Sequence, residues 1–220
     1  GIIDKMVRRH AHIFGGESAA TPEEVMRKFD NWCEEWTNKS LIKERLLAFM
    51  EWEEKQHGLK VERDWIRITP GIVSGIYWAV SALTEPGDAV AVLKPVYYPF
   101  FRAVEHTGRK LVSCDLINEN GVYSVDFDAL DKLMAEEQVK MMILSSPHNP
   151  VGRVFTRLEL EMICAICRKH GVKLISDEIH QDLVYGDHVQ IPTLTIQKEN
   201  VMAFTAASKT FNLAGLPNSF

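Results

Sequence analysis

Four stretches of this 220-residue chain place a reactive or polar group where an apolar run gives way to a loop. Lys209 lies in AASKTFNLAG, after the run VMAFT and among small residues that let other groups approach closely. A lysine buried at such a junction is poorly solvated, its pKa falls, and its amine can form an imine with an aldehyde. The plainer reading is a lysine that snorkels to the surface. Asp177, in SDEIHQD, directly follows the run VKLIS. A carboxylate partly buried there needs a cation or a strong donor, such as a protonated ring nitrogen; helix capping is the alternative. Asn149 sits in SSPHNPVGRVF, also after an apolar run, although N-P-x-G is by itself an ordinary turn. TPGIVSGI opens a helix, so the backbone N–H groups of Gly71, Ile72 and Val73 would face an anion, with phosphate well suited. Pro70 and Gly71 alone would equally serve as helix-start punctuation.

Other chemistries are less well supported. Cys164 and Cys167 form a C-x-x-C, but they lie in LELEMICAICRKHG, whose apolar spacing is helical. Cys33 and Cys114 stand apart, so no second pair completes a zinc site, and buried structural cysteines are expected. The chain carries 25 Lys and Arg against 30 Asp and Glu, a net charge of −5, which argues against nucleic acid as the main partner. No apolar run approaches the ~18 residues that would span a bilayer, and GIIDKMVRRHAHIFGG lacks the features of a secretory leader. A small-molecule ligand and a cytoplasmic location are expected. The chain starts without Met and stops at GLPNSF, so a fragment of a longer protein is expected.

From about residue 65, runs of Val, Ile and Leu alternate with stretches of helical period, the pattern of an α/β protein with a mostly parallel sheet flanked by helices. Strands are expected at WIRI (65–68), AVAVL (89–93), KLVSC (110–114), KMMILS (140–145), VKLIS (172–176) and VMAFT (201–205). Helices are expected over Val73 to Leu83, Tyr98 to His106, Asp126 to Glu136 and Arg157 to His170. Asp126 and the Thr156–Glu159 pair provide N-terminal caps, and Gly171 a C-terminal stop. The first 64 residues differ, with charged helical stretches at Thr21 to Trp36 and Ser40 to His57. Trp32, Trp36 and Trp52 there would pack on a partner subunit or another domain, or belong to a solvated arm.

In open α/β sheets, ligands bind where loops converge at the carboxyl ends of the strands. The ordered set TPG, KPVYYPFF, NPVG, D-x-x-H and SKTF resembles the class I and II aminotransferase superfamily over roughly residues 41 to 216. The wording SPHNPVGRVF, SDEIHQDLVYG, IPTL and SKTFNLAGL is most similar to its cystathionine β-lyase branch, which includes the MalY and PatB proteins. The resemblance implies a fold-type I large domain over residues 41–220, incomplete because the C-terminal small domain is missing, after a poorly matched helical segment, 1–40. It implies pyridoxal 5'-phosphate as cofactor, an amino-acid substrate and a homodimer.

Residue by residue, Lys209 would hold the cofactor as a Schiff base and then move the substrate α-proton. Asp177 would keep the pyridine nitrogen protonated. Asn149 and His180 would bond the phenolic oxygen, and Tyr97 would stack on the ring. Gly71, Ile72 and Val73, with the Ser208 hydroxyl, would hold the phosphate. The implied reaction is C–S β-elimination from a cysteine thioether. Transamination, or an inactive or regulatory member of the family, is the alternative. Two departures stand out: IFGG has Gly16 where the family carries a tyrosine that reaches the partner's cofactor, and the arginine that clamps the substrate carboxylate is missing. Low activity of this chain is therefore expected.

Overall fold

The computed structural model describes residues 40–213 and 219–220. The expected helix at Thr21 to Trp36, Trp32, Trp36, Cys33 and the IFGG stretch lie outside them. The chain divides into two compact units, one comprising residues up to Glu53 with Lys60–Arg67, the other Glu54–Leu59 with Ile68–Phe220. Helix α1 (Ser40–His57) forms where a charged helical stretch was expected, and a 3-10 turn follows at Arg63–Trp65.

The expected strand at WIRI does not form. Trp65 closes the 3-10 turn, and the chain then runs extended through Ile66. The alternation is present, with Ile66 buried and Arg67 exposed, but no strand among the described residues pairs with it. The Arg67 guanidinium instead donates to the carbonyls of Asp64 and Ile66. Pairing is confined to an isolated antiparallel bridge from Thr69 to Ser219.

The second unit is built on five parallel strands: β1 (Ala89–Lys94), β2 (Lys110–Asp115), β5 (Met141–Ser145), β6 (Lys173–Asp177) and β7 (Val201–Phe204). Their spatial order is β2-β1-β5-β6-β7. A strand exposes alternate residues to opposite faces. Val90, Val92, Met141, Ile143, Ile175 and Phe204 accordingly pack with helices α2 (Ile72–Leu83) and α3 (Pro99–Glu105). Ala89, Ala91, Leu93, Met142, Leu144 and Leu174 pack on the opposite face with α4 (Phe127–Glu136) and α5 (Arg157–Lys169). Both faces are covered, which is why these strands read as unbroken apolar runs. Each fully buried aliphatic side chain contributes roughly 1.5–3 kcal/mol.

The caps follow the sequence. Asp126 accepts from the Ala129 amide, and Thr156 with Glu159 forms a complete capping box at α5. Cys164 and Cys167 are buried in α5, where desolvation pushes their thiols up to about 11 and about 12. A short antiparallel hairpin, β3 (Ile117–Glu119) with β4 (Val122–Ser124), was not expected. Its turn rests on Asn120 and Gly121, both at positive φ, with the Gly121 amide donating to Asn118 Oδ1 at 2.8 Å. Among the described residues, no helix is long and apolar enough to cross a membrane.

Candidate active site

The chain runs from β1 outward to β2, then returns to place β5 on the other side of β1. Connections on the two sides of β1 therefore diverge and open a crevice at the carboxyl edge, where α/β sheets bind ligands. The loop after β1 carries Tyr97, the loop after β5 carries Asn149, and the segment after β6 carries His180. Lys209 lies in α6 (Ala207–Thr210), a single turn just after β7. Helix α2 precedes β1 and packs on the sheet, so its first turn, with Gly71, Ile72 and Val73, belongs to the same edge.

Asp177 ends β6, in register with Ser145 of β5 on one side and Phe204 of β7 on the other. It is buried, and its carboxylate accepts one hydrogen bond among the described residues, from the Ile179 amide at 3.2 Å. That is little compensation for a buried charge. Desolvation pushes the Asp177 carboxyl up to about 7; the Ile179 amide opposes this, Glu178 reinforces it, and the positive charge of Lys209 opposes it. The same lysine, after burial, lowers the pKa of His180. Tyr97 is half-buried with its pKa raised, first by desolvation, then by Tyr98 and Asp177. Charge on Lys209 is thus felt at Asp177 and at His180, and charge on Asp177 is felt at Tyr97.

The structure separates the two readings of the lysine. Lys209 is exposed, which matches the snorkelling reading and not the buried amine. Ala206 is buried and Ala207 and Ser208 are half-buried, while the four-carbon stem of Lys209 reaches solvent.

At the start of α2, Gly71 adopts φ 118° and no side chain caps the helix. Only glycine takes this conformation easily, and among the described residues no side chain accepts from the first amides of α2, which suits them to an anion. Gly75, one turn on, allows α2 to lie against β7: a β-carbon there would sit 2.5 Å from Phe204 Cε1. The half-buried Asn149 receives a fixed backbone position from Ser145 Oγ, which accepts its amide at 3.2 Å. The Asn149 side chain makes no hydrogen bond among the described residues.

One residue here was passed over in the sequence. His148 is buried, with Nε2 2.9 Å from the Pro95 carbonyl and Nδ1 3.2 Å from the Ser145 carbonyl. It ties the loop that bears Tyr97 to the loop that bears Asn149. Burial lowers its pKa, and the backbone carbonyls partly offset this. Among the described residues no group of three His, Cys, Asp or Glu side chains is arranged to hold a metal ion.

The strand order, the parallel sense and the helices on both faces define the large domain of fold-type I α/β enzymes. The chain belongs to the aminotransferase class I and II family, whose model matches residues 35–216, and to its MalY and PatB branch. It is 40% identical over 175 residues to cystathionine beta-lyase PatB of Bacillus subtilis strain 168, an alignment covering 78% of this chain and 45% of PatB. The crystal structure of cystalysin from Treponema denticola, which contains a pyridoxal 5'-phosphate cofactor, superposes with a TM-score of 0.78 at 39% identity. That match covers 80% of this chain and 46% of cystalysin. Kynurenine–oxoglutarate transaminase 3 of Mus musculus is 31% identical over 160 residues, 68% of this chain and 35% of the transaminase. The chain therefore spans less than half the length of these relatives.

Proposed function

We propose that residues 41–220 form the cofactor-binding domain of a cytoplasmic, homodimeric pyridoxal 5'-phosphate enzyme that cleaves the C–S bond of L-cystathionine or a related cysteine thioether. The products are pyruvate, ammonia and a thiol. One observation carries the cofactor reading: a carboxylate buried at the end of β6 with a single backbone donor, under the influence of a lysine on the next strand's exit. A protonated ring nitrogen is the partner that Asp177 lacks. The uncapped start of α2, held open by Gly71, fits a phosphate. The choice of β-lyase is supported by the likeness to cystathionine beta-lyase PatB.

When bound, pyridoxal phosphate supplies a conjugated ring that accepts the electron pair left behind as the substrate's α-proton departs. The chain's own residues do the rest. Asp177, ionised, holds a proton on the ring nitrogen and keeps the ring electron-poor. Lys209 binds the aldehyde through its amine and, released by the substrate amine, takes the α-proton at Nζ. Tyr97 packs against a ring face, while Asn149 and His180 donate to the ring oxygen. The amides of Gly71, Ile72 and Val73, with Ser208 Oγ, would hold the phosphate.

A second reading, an aminotransferase, is favoured by the likeness to the mouse transaminase. Product analysis with L-cystathionine and pyridoxal phosphate separates the two. Pyruvate and free thiol formed without a keto-acid acceptor support the lyase. Turnover that requires a keto acid supports the aminotransferase, and failure to bind the cofactor refutes both.

A further inference from the structure

The turn that carries Lys209 is too short to stand alone. Helix α6 has four residues, and its N-cap, Ala206, offers no side-chain hydrogen bond. An isolated turn of this length does not persist in water, so its orientation has to be imposed from outside. Part of that comes from the backbone: Thr205, just before it, exchanges two hydrogen bonds with Phe220 at 3.1 and 2.9 Å. These hold the entry to the turn, and the amides of Phe211 and Leu213 close its far end on Ala207 and Ser208.

The far end is also held by a carboxylate. Thr210 Oγ1 donates to Asp182 Oδ2 at 2.6 Å, and Asp182 Oδ1 lies 2.7 Å from His57 Nε2. Both carboxylate oxygens are thus engaged, and the Asp182 and His57 side chains are only 15% and 7% exposed, which shields these contacts from water. A carboxylate acceptor makes each hydrogen bond shorter and stronger than a neutral one. Asp182 belongs to the segment that leaves β6, the same segment that carries Asp177 and His180. Consecutive residues on a helical turn point about 100° apart. With Thr210 drawn toward this segment, Lys209 leaves the turn in a different direction, in accord with a half-buried Thr210 and an exposed Lys209.

We propose that Asp182 is a positioning residue for Lys209: it holds Thr210, fixes the direction in which the neighbouring lysine leaves the backbone, and ties that lysine to the segment bearing its charge partner Asp177. This rests on the functional reading above, in which Lys209 takes the cofactor aldehyde. In that capture, Nζ bonds to the aldehyde carbon and the carbonyl oxygen leaves as water. His57 holds the second oxygen of Asp182 and so limits rotation of the carboxylate.

The test compares two ligands on the unsubstituted chain and on Thr210→Val, Thr210→Ser and Asp182→Asn. Pyridoxal phosphate reports covalent capture through its absorbance change; pyridoxamine phosphate, which has no aldehyde, reports the rest of the site by calorimetry. Thr210→Val and Asp182→Asn are expected to slow capture about tenfold, the equivalent of one charge-assisted hydrogen bond, while pyridoxamine phosphate affinity is unchanged and Thr210→Ser restores the parent rate. Capture at the parent rate in both variants overturns the proposal. So does a parallel loss of both ligands without rescue by serine, since that marks damage to the fold. If the unsubstituted chain captures no pyridoxal phosphate, the functional reading falls with it.

Discussion

Substituting Asp177 by Asn tests whether its carboxylate is as poorly compensated as the structure indicates. Burial raises the carboxyl from its ordinary 3.8 to about 7 in the folded chain. The sign follows directly: the unfolded chain gives up this proton more readily, so folding loses stability as pH rises from about 4 to about 7 and recovers it on acidification. The rise from 3.8 to about 7, at about 1.36 kcal/mol per pH unit, corresponds to a cost of roughly 4 kcal/mol above pH 7. Asn removes the charge, keeps an oxygen for the Ile179 amide, and changes the volume little. Without cofactor, Asp177→Asn is therefore expected to be more stable than the parent at pH 8, by up to about 4 kcal/mol, with the gain closing toward pH 4. Urea unfolding followed by far-UV circular dichroism at both pH values measures it. With pyridoxal phosphate present the order should narrow or reverse, because only the parent gains a charged partner. A variant no more stable than the parent at pH 8 would show that the charge is already paired within the chain and would refute the reasoning.

Gly75→Ala puts a β-carbon 2.5 Å from Phe204 Cε1 and should cost about 1–3 kcal/mol through overpacking, read as a lower urea midpoint. Thr156→Ala removes the hydroxyl side of the capping box at α5 and should cost about 1 kcal/mol in the same assay; Thr156→Ser should cost much less. Cys164 and Cys167, with thiols at about 11 and about 12, should resist alkylation at pH 8 in the folded chain and react fully in urea; rapid labelling of the native protein would contradict their burial.

The sheet was legible because both of its faces are covered. AVAVL, KLVSC, KMMILS, VKLIS and VMAFT are apolar runs of strand length, and β1, β2, β5, β6 and β7 each lie within one residue of them at either end. WIRI carried the same local pattern and failed because a strand also needs a neighbour, which no local pattern specifies. The β3–β4 hairpin was missed for the opposite reason. Its strands are three residues each and largely exposed, so little hydrophobic signal exists, although Asn120–Gly121 is a strong turn dipeptide. At the site, residue types at strand ends singled out Asp177, Asn149 and Lys209, which lie at the end of β6, after β5 and after β7. Their surroundings were another matter. The exposure of Lys209 depends on which way one short turn faces, and His148 and Asp182 act through partners 53 and 125 residues away. Distances of that kind along the chain leave no periodicity to read.

The most direct measurement is an absorbance titration of the chain with pyridoxal phosphate, alongside Lys209→Ala. The account requires a new long-wavelength band in the parent, removed by borohydride reduction into a stable adduct on the peptide that contains Lys209, and neither band nor adduct at that position in the variant. An equal band in Lys209→Ala, or an adduct mapped to another lysine, would contradict it.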